Sequence, residues 1–325
     1  MTNTVNTPLL FDLNDGSSLA NSLCELLQAE EGQLSQRQFP DGESYLQVQS
    51  EANGRNAIVL CTLYQPNEKF LPMIYLAETL KEMGAKQVIL VAPYLAYMRQ
   101  DKRFHPGESV TSRHFAALIS NSFDVLVTVD PHLHRYHSLD EIYSIPSTVV
   151  ASSESVALWI KQHIERPLLI GPDIESEQWV AEVARMADAP FEILLKERFG
   201  DRDVKVSLPH VGKYRQHNPV LVDDIISSGH TMLETIQHLH KADMPPVTCI
   251  GTHGLFAGSA YRQMQQSHTA QVVTCNTVNH VSNGIDMAPA LSRAIKHYLD
   301  WCAVDQGIIE FRPLGIRMPI SKETE

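Results

Sequence analysis

The chain has 325 residues, of which 43% are hydrophobic and 20% are charged, and this length predicts about two domains of roughly 150 residues each. Its 38 Asp and Glu residues outnumber the 26 Lys and Arg residues, which gives a formal net charge of −12. This acidic balance argues against nucleic acid or an anionic membrane as the main partner, and an anionic substrate must therefore meet a local cluster of basic residues.

The cysteines and the N-terminal residues indicate the cellular compartment. The five cysteines are odd in number and scattered along the chain, which is typical of reduced thiols in a cytosolic protein. The first seven residues lack the basic region and apolar core of a signal peptide, and no apolar run reaches the ~18–20 residues that a membrane helix needs. We therefore expect a cytoplasmic protein without a membrane span.

Short β-type runs alternate with amphipathic helical patterns along the chain. The predicted strands cover residues 57–61, 87–92, 125–130, 168–171, 191–195, 220–223, 247–251 and 271–275. The predicted helices cover residues 72–83, 112–122, 177–187, 231–242, 259–266 and 288–300. This alternation predicts an α/β fold in which helices cover mainly parallel sheets.

A domain junction is predicted near residue 150. Residues 144–154 contain Pro146 and several Ser and Thr residues but little apolar periodicity, a composition that suits a connection. The prediction is an N-terminal domain of residues 1–150 and a C-terminal domain of residues 151–325. The similar length of the two halves would allow an ancient duplication.

The segment 219–231 carries the most information about function. An apolar strand ends there in Asp223 and Asp224, and a Ser/Gly/Thr loop then opens a helix. Unpaired N–H groups at a helix start bind anions, and Gly229 lets the backbone approach a ligand closely. Carboxylates beside a phosphate site make sense if they hold ribose hydroxyls or face Mg²⁺. A sugar phosphate fits both, whereas the plain alternative is a buried strand followed by an ordinary helix cap.

This segment resembles the phosphoribosyl-pyrophosphate loop of the type I phosphoribosyltransferase fold. The resemblance implies that the two acids bind the ribose hydroxyls and that the following loop binds the 5-phosphate. The residues implied for ribose 5-phosphate binding are Asp223, Asp224, Ser227, Ser228, Gly229, His230 and Thr231.

Further segments carry a resemblance to one family. They are Phe39-Pro40-Asp41-Gly42-Glu43, residues 93–102, Asp130-Pro131-His132, Lys196-Glu197-Arg198 and residues 252–256. Their order and spacing are similar to those of the ribose-phosphate diphosphokinases, also called phosphoribosyl-pyrophosphate synthetases, and look closer to the archaeal-type branch. The resemblance covers most of the chain and implies two tandem type I phosphoribosyltransferase-like domains, with ATP on the N-terminal side and ribose 5-phosphate on the C-terminal side.

The resemblance implies a Mg²⁺-dependent enzyme that transfers the diphosphoryl group of ATP to the 1-hydroxyl of ribose 5-phosphate and releases AMP. It assigns ATP binding to Phe39, Asp41, Glu43, Arg99, Gln100 and Asp101, the first three from a neighbouring subunit of a homo-oligomer. It assigns Mg²⁺ to His132 and Asp173. It also places Lys196 and Arg198 on a mobile arm that closes over the transition state.

Each of these residues has a plainer alternative. The charges from Arg99 to Arg103 could be a solvated loop, and Phe39 could be a core residue before a simple Asp-Gly hairpin turn. His132 alone is more often structural, and a zinc site formed with His134 and His137 is disfavoured because the sequence offers few further ligands nearby.

Two departures from the family pattern bear on activity. Glu175 and Ser176 stand where the family has glycines, and Arg135 stands where it commonly has Gln. The first change adds a negative charge and removes backbone freedom beside the sugar phosphate. Two alternatives to the active synthetase therefore remain: a catalytically impaired regulatory paralogue that binds nucleotides or phosphoribosyl pyrophosphate, and a phosphoribosyltransferase.

Overall fold

The computed structural model describes residues 7–14, 16–133, 135–199, 203–207 and 211–304. Within these ranges, the side chains of residues 175, 195–199, 203–207, 211–212 and 301–304 lie outside the described part. The described secondary structure consists of two parallel sheets, two antiparallel hairpins and the helices that cover them.

The N-terminal half builds the first sheet. Its strands are β1 (Leu9–Asp12), β2 (Glu30–Glu31), β3 (Leu34–Gln38), β4 (Ser44–Val48), β5 (Asn56–Leu60), β6 (Gln87–Ala92), β7 (Val125–Val129) and β8 (Ser147–Val150). Its helices are α1 (Ser18–Leu27), α2 (Pro66–Glu82) and α3 (Thr111–Ser122). The sheet order is β2-β1-β5-β6-β7-β8, and β3 and β4 form a separate hairpin. The central strands are continuous apolar runs because helices cover both of their faces.

The C-terminal half builds the second sheet. Its strands are β9 (Pro167–Gly171), β10 (Phe191–Ile193), β11 (Leu195–Phe199), β12 (Asp203–Ser207), β13 (Asn218–Ile226), β14 (Val247–Gly254), β15 (Thr269–Cys275) and β16 (Asn283–Ile285). Its helices are α4 (Ser153–His163), α5 (Glu177–Ala187), α6 (His230–Lys241), α7 (Ala260–Gln265) and α8 (Ala288–Val304). The order is β10-β9-β13-β14-β15-β16, and β11 pairs with β12 as a hairpin.

The two halves share a core, and one helix of the C-terminal half packs on the N-terminal half. Helix α4 follows a strand of the first sheet but packs on α5 and β16, whereas α8 follows the second sheet and packs on α1, β7 and β8. One buried cluster includes residues of both sheets, for example Leu10, Val127 and Val222, together with Leu291 of α8. Separate clusters fill the outer faces under α2 and α3 and under α6 and α7.

The predicted α/β class with parallel sheets is confirmed. The structure adds β1, α1, β8 and α4, which the sequence analysis left unassigned, and α2 begins at Pro66 rather than at residue 72. Residues 144–154 contain β8 and the start of α4 rather than an irregular connection. The domain boundary near residue 150 stays a prediction. One buried cluster contains residues from both sides of it, and α8 packs on α1, β7 and β8 of the N-terminal half.

Two further findings concern the cysteines and the length of the helices. Cys24, Cys61, Cys249 and Cys275 are free thiols. None of the helices in the described part of the chain is long and apolar enough to cross a bilayer.

Candidate active site

Loops from the two halves meet at the carboxyl edges of the sheets. The loop after β7 carries His132, whose Nδ1 lies 2.9 Å from Oδ2 of Asp224 at the end of β13. These residues line a cleft of about 460 Å³ that is open to solvent. The polar side chains of its lining are Arg99, Asp130, His132, Asp173, Ser176, Trp179, Asp223 and Asp224. The structure thus brings the predicted metal residues His132 and Asp173 together with the predicted sugar-binding acids.

Negative charge is concentrated at this cleft. Burial raises the pKa of Asp223 well above its usual range, and the charges of Asp224 and Asp173 raise it further. Burial would also raise the pKa of Asp224, but its hydrogen bond to His132 and the nearby His253 lower it below the usual value. A cation or a hydroxyl-bearing ligand placed here would relieve the repulsion between these carboxylates.

Asp130 is a site residue that the sequence analysis did not assign. It ends β7 with a φ of 31°, and its Oδ2 accepts hydrogen bonds from the backbone N–H of Ser152 at 3.0 Å and from the Ser152 hydroxyl at 2.5 Å. Burial raises the pKa of Asp130 to about 6 although these hydrogen bonds act in the opposite direction. Its place at the carboxyl end of a strand was the available signal.

The loop after β13 has the geometry of an anion cradle. Gly229 adopts a left-handed φ of 73° and directly precedes α6. The adjoining segment is tied down, because Ala257 donates its N–H to Ser227 O at 3.0 Å and Leu255 donates to Ile226 O at 2.9 Å. The N–H groups of the first turn of α6 therefore start from a fixed loop.

We expect Gly229→Ala to reduce both the stability of this loop and the affinity for the ligand that it is predicted to bind. A Cβ at residue 229 would lie 3.4 Å from Cβ of Ala260, and the left-handed backbone alone costs an L-residue about 1–2 kcal/mol. Urea denaturation should show that loss, and the KM for ribose 5-phosphate should rise. Gly54→Ala is the matched control, since Gly54 has a φ of 71° but lies before β5. The Gly54→Ala variant should lose a similar amount of stability but keep the wild-type KM for ribose 5-phosphate. Equal KM values for the two variants would contradict the predicted role of the loop.

Asp173 begins a short 3-10 turn of residues 174–176. Its Oδ1 accepts a hydrogen bond from the N–H of Ser176 at 3.2 Å, and the hydroxyl of Ser176 donates to Asp173 O at 2.7 Å. The serine that departs from the family pattern therefore closes this turn and lines the cleft. The side chain of Glu175 lies outside the described part.

Trp179 is a second cleft residue that the sequence analysis missed. Its Nε1 is buried and has no hydrogen-bond partner within the described part of the chain, although the residue lines the cleft. A tryptophan at helical spacing in α5 is indistinguishable from a core residue in the sequence, so no signal identified it.

The predicted ATP residues after β6 have different environments. Arg99 is exposed and lines the cleft. Gln100 accepts a hydrogen bond from the Thr111 hydroxyl at 3.2 Å. The Asp101 side chain is only 3% exposed and faces Arg135, whose Nη1 lies 2.7 Å from Oδ1 and 3.0 Å from Oδ2. The unusual Arg135 thus neutralises a buried carboxylate, and the predicted ATP contact of Asp101 stays a prediction.

Arg135→Gln should lower the stability of the protein. The change leaves the buried Asp101 carboxylate without its cation, and the loss of a hydrogen bond to a charged group costs about 1.5–3 kcal/mol. Chemical denaturation measures this loss. Arg293→Gln is the control, because Arg293 pairs with Glu154 on the surface and both side chains are mostly exposed. The same small effect for both variants would show that the Asp101 pair contributes little.

The predicted adenine residues lie on the β3–β4 hairpin. Phe39 is 39% exposed, so the core alternative is wrong, and the guanidinium of Arg37 lies 4.5 Å from the centre of its ring. Asp41 Oδ1 accepts a hydrogen bond from the N–H of Glu43 at 3.2 Å in the hairpin turn. None of these three predicted ligands is among the described residues that line the cleft.

Lys196 and Arg198 lie on β11, where their backbones pair with Val206 and Val204 of β12. Their side chains, like those of the whole hairpin, lie outside the described residues. Their predicted catalytic role stays a prediction.

Comparison with known proteins identifies the family. Residues 9–122 match the family model described as the N-terminal domain of ribose phosphate pyrophosphokinase, and residues 138–289 match the phosphoribosyl transferase domain. A ribose-phosphate pyrophosphokinase of Pyrococcus abyssi is 31% identical over 246 residues, which cover 74% of this chain and 83% of that protein. One of Methanopyrus kandleri is 29% identical over 286 residues, which cover 87% and 97% of the two chains.

A solved structure supports the fold. The crystal structure of phosphoribosylpyrophosphate synthetase from Mycobacterium smegmatis aligns with a TM-score of 0.78 at 21% identity and covers 90% of this chain and 99% of that chain. The resemblance found in the sequence motifs is thus confirmed at the level of whole domains. The chain belongs to the ribose-phosphate pyrophosphokinase family.

Proposed function

We propose that this protein transfers the diphosphoryl group of ATP to the 1-hydroxyl of ribose 5-phosphate, giving phosphoribosyl pyrophosphate and AMP. The hydrogen bond between His132 and Asp224 carries the proposal, because it joins the loop after β7 to the sugar-phosphate loop of the other half. Arg99, which is predicted to bind ATP, lines the same cleft as Asp223 and Asp224, whereas Gln100, Asp101 and residues 227–231 are not among its described lining residues. Family membership supports the same reaction.

Ribose 5-phosphate would be held by the end of β13 and the loop after it. Asp224 is the ionised member of the acid pair, since its pKa is lowered, and it would accept hydrogen bonds from the ribose hydroxyls. Ser227, Ser228, Gly229, His230 and Thr231 would bind the 5-phosphate through backbone N–H groups and hydroxyls at the start of α6. This arrangement would leave the 1-hydroxyl of the sugar facing the N-terminal half.

The donor set of the cleft fits Mg²⁺. Carboxylate oxygens are the ligands that Mg²⁺ prefers, and it is usually bound by one or two carboxylates together with substrate phosphates. Asp173 and Asp223 supply such oxygens beside a concentration of negative charge. Asp173 and His132 would hold the ion, directly or through water, and the bound ion would neutralise phosphate charge. In the described part of the chain, no three His, Cys, Asp or Glu side chains form a preassembled metal site.

The residues of the chain would position the two substrates and stabilise the negative charge that builds up during the transfer. In-line attack of the sugar hydroxyl on the β-phosphorus breaks the bond to the α-phosphate oxygen and builds negative charge on the phosphate oxygens. Arg99 would bind the triphosphate from the N-terminal side. Lys196 and Arg198 would approach the same charge from the β11–β12 hairpin and stabilise it in the transition state.

The position of the hairpin that carries Phe39 supports a homo-oligomer. Phe39, Asp41 and Glu43 are exposed and lie outside the lining of the cleft in their own chain. If they bind adenine, they would do so in the cleft of a neighbouring copy. Phe39→Ala should then raise the KM for ATP, and mixing this variant with an Asp224→Asn variant should restore part of the activity.

An assay of AMP release tests the proposed function. The purified chain with ATP, ribose 5-phosphate and Mg²⁺ should form AMP and phosphoribosyl pyrophosphate in equal amounts, and parallel reactions with GTP and CTP should report the choice of donor. Release of ADP instead of AMP, or no AMP at saturating substrates, would refute the proposal. Ligand-induced thermal stabilisation without turnover would instead indicate a regulatory paralogue.

A further inference from the structure

Apolar side chains line the candidate active site together with its carboxylates. Leu133 and Val149 come from the N-terminal half, and Ile225 and Trp179 come from the C-terminal half. Val149 is 43% exposed although it lies on a strand. A ligand in this cleft therefore meets ionised groups and hydrocarbon surface at the same time.

The position of Trp179 is fixed by the turn that begins at Asp173. Helix α5 starts at Glu177, directly after the 3-10 turn of residues 174–176, so Trp179 lies in its first turn. The turn is closed by the two hydrogen bonds between Asp173 and Ser176, at 3.2 and 2.7 Å, and α5 packs on α4 and β9. The indole is therefore held in place beside the predicted metal ligand.

The carbon atoms of the indole face the cleft. Its Nε1 is shielded from solvent and has no hydrogen-bond partner within the described part of the chain, and the ring packs against the buried cluster that contains residues of both sheets. The residue is nevertheless partly exposed and lines the cleft. Since Nε1 is the one polar atom of a tryptophan side chain, the surface that Trp179 offers to a ligand is hydrocarbon.

A ribose ring has two kinds of surface that match this cleft. Its hydroxyls form a polar edge, whose hydrogen bonds the carboxylate of Asp224 would accept, and its carbons present C–H bonds on the ring faces. Packing such a face on an indole removes apolar surface from water, and the negative face of the aromatic ring attracts the weakly positive hydrogens. The nucleotide base is predicted to bind the hairpin that carries Phe39, so it does not compete for this position.

We propose that Trp179 is a specificity-determining residue for the sugar acceptor, because its indole packs on the C–H face of the ribose ring while Asp224 binds the hydroxyls. This inference rests on the proposed function, since it names a further contact of the same site with ribose 5-phosphate. The indole selects for a sugar phosphate with an open ring face, and the carboxylates select for its hydroxyls.

Fluorescence reports the contact directly, because the chain contains three tryptophans, Trp159, Trp179 and Trp301. In the variant Trp159→Phe/Trp301→Phe only Trp179 emits, and acrylamide should quench this emission through the open cleft. Saturating ribose 5-phosphate, without ATP, should lower the quenching constant. In the matched control Trp179→Phe, the remaining emission should be quenched equally with and without the sugar phosphate.

Binding calorimetry provides a second readout. Trp179→Gln should bind ribose 5-phosphate about fivefold more weakly, as expected when roughly 40 Å² of apolar surface is no longer buried, whereas Trp179→Phe keeps an aromatic face and should stay within about twofold of the wild type. The loss in Trp179→Gln should be the same for 2-deoxyribose 5-phosphate, because the ring face does not depend on the 2-hydroxyl. Asp224→Asn should instead weaken ribose 5-phosphate more than the deoxy sugar.

The outcomes separate this inference from the proposed function. If calorimetry shows that ribose 5-phosphate binds but the quenching of Trp179 does not change, this inference alone is overturned. Shielding of Trp179 by AMP and not by ribose 5-phosphate would also overturn it, because the indole would then face the nucleotide. Absence of ribose 5-phosphate binding to the wild type would refute the proposed function together with this inference.

Discussion

Asp224→Asn should reduce kcat/KM for ribose 5-phosphate by about 10–10²-fold. The carboxylate accepts a hydrogen bond from His132 and, in the proposed complex, another from a ribose hydroxyl. The bond to His132 is present with and without the sugar, whereas the bond to the sugar forms only in the complex. Its loss, at about 1.5–3 kcal/mol for a hydrogen bond to a charged group, gives this range. Asparagine keeps the shape of the side chain, so the fold and the position of Asp223 should be preserved.

Steady-state kinetics with varied ribose 5-phosphate measures this effect, and the KM for ATP should change much less. Asp243→Asn is the matched control, because Asp243 is exposed just after α6 and its φ of 56° is one that asparagine tolerates. This control should behave as the wild type. If Asp224→Asn retained more than about a tenth of the wild-type kcat/KM, Asp224 could not be the principal sugar-binding acid.

The position of the site could be predicted because polar side chains stand directly after the apolar runs that predict strands. Asp223, His132 and Asp173 each follow an apolar run, and ligands on parallel sheets lie at the carboxyl ends of strands. The contact between His132 and Asp224 spans 92 residues of sequence, and only the resemblance to the family indicated that these loops belong together. Local patterning contains no information on such a pairing.

There are physical reasons why some elements could not be predicted from the sequence. Strand β8 has four residues and carries the sequence Ser-Thr-Val-Val, so its Ser and Thr residues look like a connection. The packing of α8 on the first sheet depends on which face of which sheet a helix covers, and amphipathic spacing fixes only that one face of the helix is buried. Trp179 escaped assignment for the same reason, since burial and exposure to a cleft are tertiary properties.

A buried polar network supports the loop that carries His132. His253 lies at the centre of this network with 1% exposure. Its Nε2 is 3.2 Å from Asp130 O and its Nδ1 is 2.9 Å from Thr277 Oγ1. The hydroxyl of Ser152 links the carboxylate of Asp130 to Thr252 Oγ1 at 2.8 Å. These bonds cross between the halves, so the network fixes the strained backbone of Asp130 directly before Pro131 and His132.

The ionisation of His253 should make the protein sensitive to acid. Burial lowers the pKa of His253 from its ordinary value of 6.5 to about 4. Between these values the unfolded chain binds a proton that the folded protein excludes, so stability is present above pH 6.5 and is lost as the pH falls toward 4. Asp130 acts in the opposite direction, because its folded pKa of about 6 lets the folded protein take up a proton before the unfolded chain does.

His253→Asn should therefore change the pH dependence of stability rather than stability alone. Between pH 7 and pH 4.5 the wild type should lose about 2–3 kcal/mol more than the variant, as the shift from 6.5 to about 4 implies. Urea denaturation at several pH values measures the difference. His297→Asn, at an exposed histidine of α8, should retain the wild-type slope. Parallel pH profiles for the wild type and His253→Asn would mean that His253 titrates in the folded protein much as it does in the unfolded chain, and the network would then not exclude its proton.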